Sequence, residues 1–359
     1  MAFKVEMTRR HVEQRESYRV LAKRVREASG RGISPTSINA MVAEVARRCK
    51  GVMEMSLALR PKWEGFLLLD EKMVSVRGNK LWFYVGVDTT GDIVHCRAVN
   101  ELTSTEAMAF IREIVDTLEY KVQGVTTDLD NSLTNAIRRI LPGKPHQICL
   151  KHAISSVEKA IGYTYVAQRQ GWNRTSVRKQ FERLRDRKGI WVAKARREFF
   201  DTYRTFKTLS QRHRDLEALR SMLYGIVFAR TRAVALEQLR EFKRKRPPLS
   251  VAPQKRAAVN FLNRYFDEMM TYHSHHGMPR TTNLVENVNK QIERRVKTIE
   301  AFQSPSSAEE YMNLLIAYLR QKPYTDCRGP RRHLNGKSRL EAAGVHLASS
   351  DWLQNATTE

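Results

Sequence analysis

Three apolar runs follow one another between residues 65 and 99 with no helical period between them, and this order limits the fold more than any other feature. Residues 65–70 (Gly-Phe-Leu-Leu-Leu-Asp) form a short run ending in an acid. Residues 81–88 are aromatic and β-branched and also end in an acid; the turn Thr89-Thr90-Gly91-Asp92 then leads into residues 93–99. Such runs, bounded by turn residues, read as strands. Connections this short join antiparallel neighbours.

The period then changes. Across residues 104–118 apolar side chains recur at Ala107, Phe110, Ile111, Ile114, Val115 and Leu118, the spacing of an amphipathic helix. A fourth strand is expected over 122–127, followed by Asp128; a helix over 131–141, closed by Pro142-Gly143; and a short fifth strand over 146–149. The order is βββαβαβ, in which three antiparallel strands precede a helical crossover to parallel ones. That is an α/β fold with a mixed sheet in the RNase H-like order. A doubly wound sheet would need helices between the first three strands.

Both flanks read as helical. Residues 18–28 carry Val20, Leu21 and Val25, followed by the turn Gly30-Arg31-Gly32. Ser34 is a good N-cap and Pro35 suits a first helical position, so a second helix is expected over 36–49 with Ile38, Met41, Val42 and Val45 on one face. This outlines a helix-turn-helix. A plain helical hairpin explains it equally well, and Arg47, Arg48 and Lys50 tip the balance toward DNA. Residues 153–275 lack strand patterning. Within them, residues 166–246 hold 23 Lys and Arg against 8 Asp and Glu, with Trp172 and Trp191 among them. The expected divisions are 1–60, a helical DNA-binding region; 61–157, the first part of a catalytic core; 158–275, a basic all-helical insertion; 276–322, a helix carrying a third acid; and 323–359, a tail.

The charge balance agrees with a polyanionic partner. The chain has 63 Lys and Arg against 38 Asp and Glu, a formal net charge of +25, and a long phosphate backbone is the usual partner of such a surplus. The four cysteines form no CxxC pair, which argues against a zinc ribbon or a secreted disulfide scaffold and for a reducing cytosol. The first twenty residues hold no apolar stretch of the kind a secretory leader needs, and no long apolar run is present, so no membrane association is expected.

The acids at the strand ends carry the chemistry. With the first and fourth strands adjacent, the carboxylates of Asp70 and Asp128 would lie close together. Two like charges so placed repel unless a cation lies between them. Hard oxygen ligands select Mg²⁺, with Mn²⁺ able to replace it. A pair of such ions serves phosphoryl transfer. Glu286 is the best third acid. It opens a helix whose N-cap is read as Asn283, which makes Glu286 the third position of a capping box, and a purely structural cap is its plain alternative. Lys290, Arg294 and Lys297 follow on neighbouring turns as a basic stripe suited to a DNA backbone. Glu71 is expected on the opposite face from Asp70. Asp130 reads as a helix N-cap and Asp88 as a turn acid; spacing alone does not separate Asp128 from Asp130.

Several of these segments carry a resemblance. Leu68-Leu69-Asp70-Glu71-Lys72, with Val76-Arg77-Gly78 and the strand to Asp88, resembles the first block of bacterial DDE transposases. Val125-Thr126-Thr127-Asp128, followed by Pro145-His146-Gln147-Ile148-Cys149-Leu150-Lys151-His152, is similar to the second block of the Mutator-like group and its insertion-sequence relatives. Thr282-Asn283-Leu284-Val285-Glu286-Asn287-Val288-Asn289, then Arg294-Arg295-Val296-Lys297 and Phe302, resembles the third. At Leu129-Asp130 the chain departs from the glycine of many relatives.

The resemblance implies an RNase H-like catalytic domain interrupted by an all-helical insertion, a DNA-binding N-terminal region, and Asp70, Asp128 and Glu286 as metal ligands and catalytic triad. It places Cys149 and His152 near the site, though a lone Cys-x-x-His is more often packing than a metal site. The expected function is a DNA transposase acting on inverted repeats and target DNA in the cytoplasm, at the nucleoid, as a homodimer or larger oligomer. A regulator descended from a transposase and a nuclease that cuts without joining are the alternatives.

Overall fold

The computed structural model describes residues 2–186, 193–299 and 301–357; Trp191 lies outside them. Four helices lead: α1 (Ala2–Gln14), α2 (Tyr18–Ser29), α3 (Pro35–Arg47) and α4 (Val52–Leu59). The Ser34 hydroxyl accepts from the Ser37 amide at 3.0 Å, and Pro35 occupies the first turn of α3. Gly30 ends α2 in the left-handed conformation. Strands β1 (Phe66–Val76), β2 (Asn79–Asp88) and β3 (Ile93–Val99) follow. Arg77 and Gly78, both at positive φ, make the two-residue turn between β1 and β2.

Helix α5 (Ser104–Arg112) is shorter than the apolar period suggests, because residues 113–117 widen into a π turn. There Glu113 accepts from His95 at 2.9 Å and from Arg97, both on β3. Then come β4 (Gly124–Thr127), α6 (Asn131–Ile140) and β5 (His146–Ile148). The five strands lie in the order β3-β2-β1-β4-β5, antiparallel between β1, β2 and β3 and parallel between β1 and β4. This is the mixed sheet that the strand order predicts.

Five helices come next: α7 (Leu150–Ala160), α8 (Tyr163–Asp186), α9 (Ala193–Val227), α10 (Arg232–Arg244) and α11 (Ala252–Met270). The chain closes with α12 (Asn283–Val296), α13 (Pro305–Gln321), α14 (Arg339–Ala342) and α15 (Trp352–Ala356).

Two compact units result. One combines residues 1–147 with 277–359, and the other is residues 148–276. In the first, period-two alternation sends successive β1 side chains to opposite faces. Leu67 and Leu69 join Tyr84, Phe110, Ile111 and Ile137 under α5 and α6. Leu68 joins Val85, Val288, Ile292 and Leu315 under α12 and α13. Helices α1 and α3 share that second cluster through Val12, Val42 and Val45. A sheet covered on both faces explains the unbroken apolar run Phe66–Leu69 of β1.

After the end of β5 the second unit's elements are all helices among the described residues, and it buries Leu216, Leu223, Leu239, Phe242, Leu262 and Met269. The Arg220 guanidinium pairs with Glu158 and lies over the Tyr163 and Tyr224 rings at 4.9 and 4.5 Å. Trp172 is 71% exposed. Among the described residues no helix is long and apolar enough to cross a membrane.

Candidate active site

The parallel register of β1 and β4 sets the site. Phe66 pairs with Gly124, Leu67 with Val125 and Leu68 with Thr126. Two residues further along each chain stand Asp70 and Asp128, just past the end of β4 at Thr127. The acids thus come side by side where the ladder stops. Asp70, Glu71 and Asp128 each offer a carboxylate oxygen within 4.8 Å of the other two, and all three are half-buried.

Glu71 is a correction. Alternation predicts it on the far face, and its backbone does follow Leu67 and Leu69. The paired register with β4 ends at Leu68, however, so no β4 residue pairs beside Glu71, and its carboxyl joins Asp70 and Asp128. Burial raises its pKa to about 8, with Asp128, Asp70 and Asp130 adding repulsion. Among the described residues its Oε2 is buried without a hydrogen-bond partner. Burial and repulsion thus favour the protonated form of Glu71, and a cation would relieve the same repulsion. Clustered carboxylate oxygens fit a hard divalent ion such as Mg²⁺ or Mn²⁺.

Helix α12 braces the site. The Asn289 amide donates to Asp70 Oδ2 at 2.8 Å and to the Glu71 carbonyl at 3.4 Å, while its own Oδ1 is buried without a partner among the described residues. Lys72 donates to Glu293 at 3.2 Å, a second tie between β1 and α12. Asn289 closes the sequence block that resembles the third transposase segment, but no sequence pattern assigned it a role.

Glu286 itself is half-buried on the first turn of α12 and is not one of the clustered trio. The capping-box expectation also shifts by a residue. The helix begins at Asn283 with Thr282 as N-cap, and the Thr282 hydroxyl donates to Glu286 Oε1 at 2.9 Å. Threonine can leave the helical path one residue earlier, which places Asn283 inside the first turn.

Asp128 and Asp130 separate by role. The Asp130 amide donates to Asp128 Oδ1 at 2.9 Å, while the Asp130 carboxylate caps α6 by accepting from the Leu133 amide at 3.0 Å. Asp88 holds the fold: fully buried, it accepts from the amides of Glu64, Gly65 and Thr90 and from the Tyr120 hydroxyl. Behind β4, Thr127 bonds His146 Nε2 at 2.9 Å, and burial holds His146 down to about 4.

The remaining expected residues lie on helices or at their ends. Arg47 and Arg48 lie at the end of α3, Arg48 at 3.6 Å from Glu44. Lys290, Arg294 and Lys297 are exposed along α12, with Lys297 paired to Glu293 at 2.7 Å. In the helical unit, Cys149 is buried at the start of α7 and His152 is half-buried on its first turn.

Two family profiles match the chain. One, described as a DDE domain, spans residues 66–187 and so includes Asp70, Glu71 and Asp128. The other, described as the Mutator family of transposases, spans residues 202–323 and includes Glu286. No curated protein sequence matches at a significant level. Taken in order along the chain, the two matches support a DDE transposase of the Mutator-like and insertion-sequence group.

Proposed function

We propose that this protein cuts the ends of a mobile DNA element and joins them to target DNA by two-metal-ion phosphoryl transfer, with Asp70, Asp128 and Glu286 as the ligands and Glu71 beside them. The observation that carries the reading is the gathering of Asp70, Glu71 and Asp128 at the open end of the β1–β4 ladder. Bound magnesium, or manganese in its place, would supply a nucleophilic oxygen at neutral pH and offset the charge that builds on phosphorus.

The chain's own residues do the positioning. The Asn289 amide donates to the Asp70 carboxylate and orients it. The Asp128 carboxylate is oriented by the Asp130 amide. Glu286 stands one helical turn from Asn289 on α12, and the Thr282 hydroxyl fixes its carboxylate. Lys290 and Arg294 extend into solvent beyond it and neutralise backbone phosphates. The Arg47 and Arg48 end of α3 reads the element ends as part of a helix-turn-helix. Pairing two ends calls for at least a dimer on DNA. The work takes place in the cytoplasm, at the nucleoid.

The test is strand transfer with a labelled duplex carrying the DNA that flanks the gene, a target plasmid, and Mg²⁺ or Mn²⁺. Wild type should give metal-dependent joined products, and Asp128→Ala should give none while binding the duplex as tightly. Equal joining by Asp128→Ala would overturn the assignment of that acid. Cutting without joining would make the protein a nuclease.

A further inference from the structure

We infer that the cavity flanked by α12, the end of α13 and the loop after it is a phosphate-binding pocket that takes the DNA backbone outside the acid cluster. The inference rests on the proposal that the protein acts on DNA. The cavity has a volume of about 460 Å³. Among the described residues it is lined by eight Lys and Arg side chains and a single carboxylate, Asp326.

Two of those cations are buried without a counter-charge. Arg295 is 2% exposed and lies over the Tyr318 ring at 5.1 Å; its Nε and Nη1 donate to the backbone carbonyls of Val12 at 2.9 Å and Gln291 at 3.1 Å, and among the described residues no carboxylate pairs with it. Arg339 is 5% exposed, bonds the Tyr324 hydroxyl, and leaves its Nε buried without a partner. The same unit shows how a purely structural arginine is treated. Fully buried Arg320 grips both Asp92 oxygens, at 2.7 and 2.8 Å, and donates to Ser56. An unpaired buried cation is costly, so two around one cavity mark a place where an anion arrives from outside. Lys322 feels the same field: burial and the charges of Arg295, Arg15 and Arg339 all push its pKa down.

Phosphate is the anion that fits. Guanidinium forks match its oxygens, and a lysine adds a point charge. The placement also suits a strand engaged at the acids. Lys290 and Arg294 line the cavity from α12, four and eight residues beyond Glu286. At a rise of 1.5 Å per residue the longer interval spans about 12 Å, or about three nucleotide steps of 3.4 Å. A strand whose phosphate lies by Glu286 therefore reaches the pocket within a few nucleotides.

The test uses the full chain without divalent ions, so that it reads binding alone. Lys322→Gln combined with Arg328→Gln removes two pocket cations, one half-buried and one exposed, and circular dichroism checks that the fold is retained. Duplex binding is followed by fluorescence anisotropy over a range of salt, and inorganic phosphate is titrated at constant ionic strength while the thermal midpoint is read. The double variant should bind duplex about tenfold more weakly, its log–log salt slope should fall by about 2, and phosphate should stabilise wild type only. Unchanged duplex affinity and slope would overturn the inference. Wild type stabilised by phosphate yet unable to hold duplex would assign the pocket to a free anion, which also overturns it. Asp128→Ala, assayed for joining with metal present, tests the acids separately; its result does not enter this one.

Discussion

The Asn289 side chain donates to Asp70 Oδ2 at 2.8 Å across 219 residues of sequence. One amide thus ties the helix that carries Glu286 to the strand that carries the first acid. Groups that orient a metal ligand typically change affinity or activity 10- to 100-fold when removed. Asn289→Ala should lower the joining rate by about that factor, with part of the loss recovered at high Mn²⁺. A metal titration of joining rates checks this, and a wild-type rate at every concentration would remove Asn289 from the site.

Arg320 and Asp92 form a fully buried, doubly bonded pair. Asp92→Asn leaves the guanidinium without its counter-charge and should cost about 3–5 kcal/mol, read as a lower urea midpoint. Replacing both partners with apolar residues should recover much of that. A double variant no more stable than Asp92→Asn would mean that the ion pair itself, rather than its stranded half, holds this corner.

His11 gives the chain an acid sensitivity. Its ring is buried, stacks on Tyr18 at 4.3 Å, bonds the Glu16 carbonyl through Nδ1 and meets the Tyr311 hydroxyl through Nε2. Burial is the main cause that lowers its pKa from 6.5 to about 4. The unfolded chain binds this proton first, so stability is full above about 6.5 and falls as pH drops toward 4, by on the order of 3 kcal/mol. His146, also held near 4, adds a loss of the same sign. His11→Phe should flatten part of that slope in urea melts at stepped pH; an unchanged slope would mean that other groups carry it.

Gly91 has φ +96°, and a Cβ there would lie 2.3 Å from the Tyr324 hydroxyl. Gly91→Ala combines backbone strain with a clash and should destabilise by about 2 kcal/mol. Tyr324→Phe removes the clashing oxygen, so the double variant should be more stable than the sum of the two singles predicts. Strict additivity would show that strain alone is at work.

Much of the sheet was legible because its signals are local. The three leading strands, the Ser34-Pro35 cap and the Asp130 cap each depend on residues a few positions apart. Asp70 and Asp128 followed from strand order, since adjacent parallel strands bring their ends level. Glu71 did not, because alternation describes a paired strand and Glu71 stands where the pairing with β4 has run out. Asn289 and the buried Arg295 were illegible for another reason. Each depends on contacts that cross more than two hundred residues, to Asp70 and to Val12, and no local pattern encodes them.

The shared core of α1, α3, α12 and α13 has a mechanical consequence. Val12, Val42 and Val45 pack with Val288, Ile292 and Leu315 in one apolar cluster, so the N-terminal helices are not an arm on a tether. A DNA sequence bound at α3, as proposed, would be held at a fixed distance from Asp70 and Asp128, as between the jaws of a caliper. The spacing between a gripped sequence and the phosphate that is cut would then be a constant of the molecule, and inserting one base pair between them should disrupt cutting rather than relocate it.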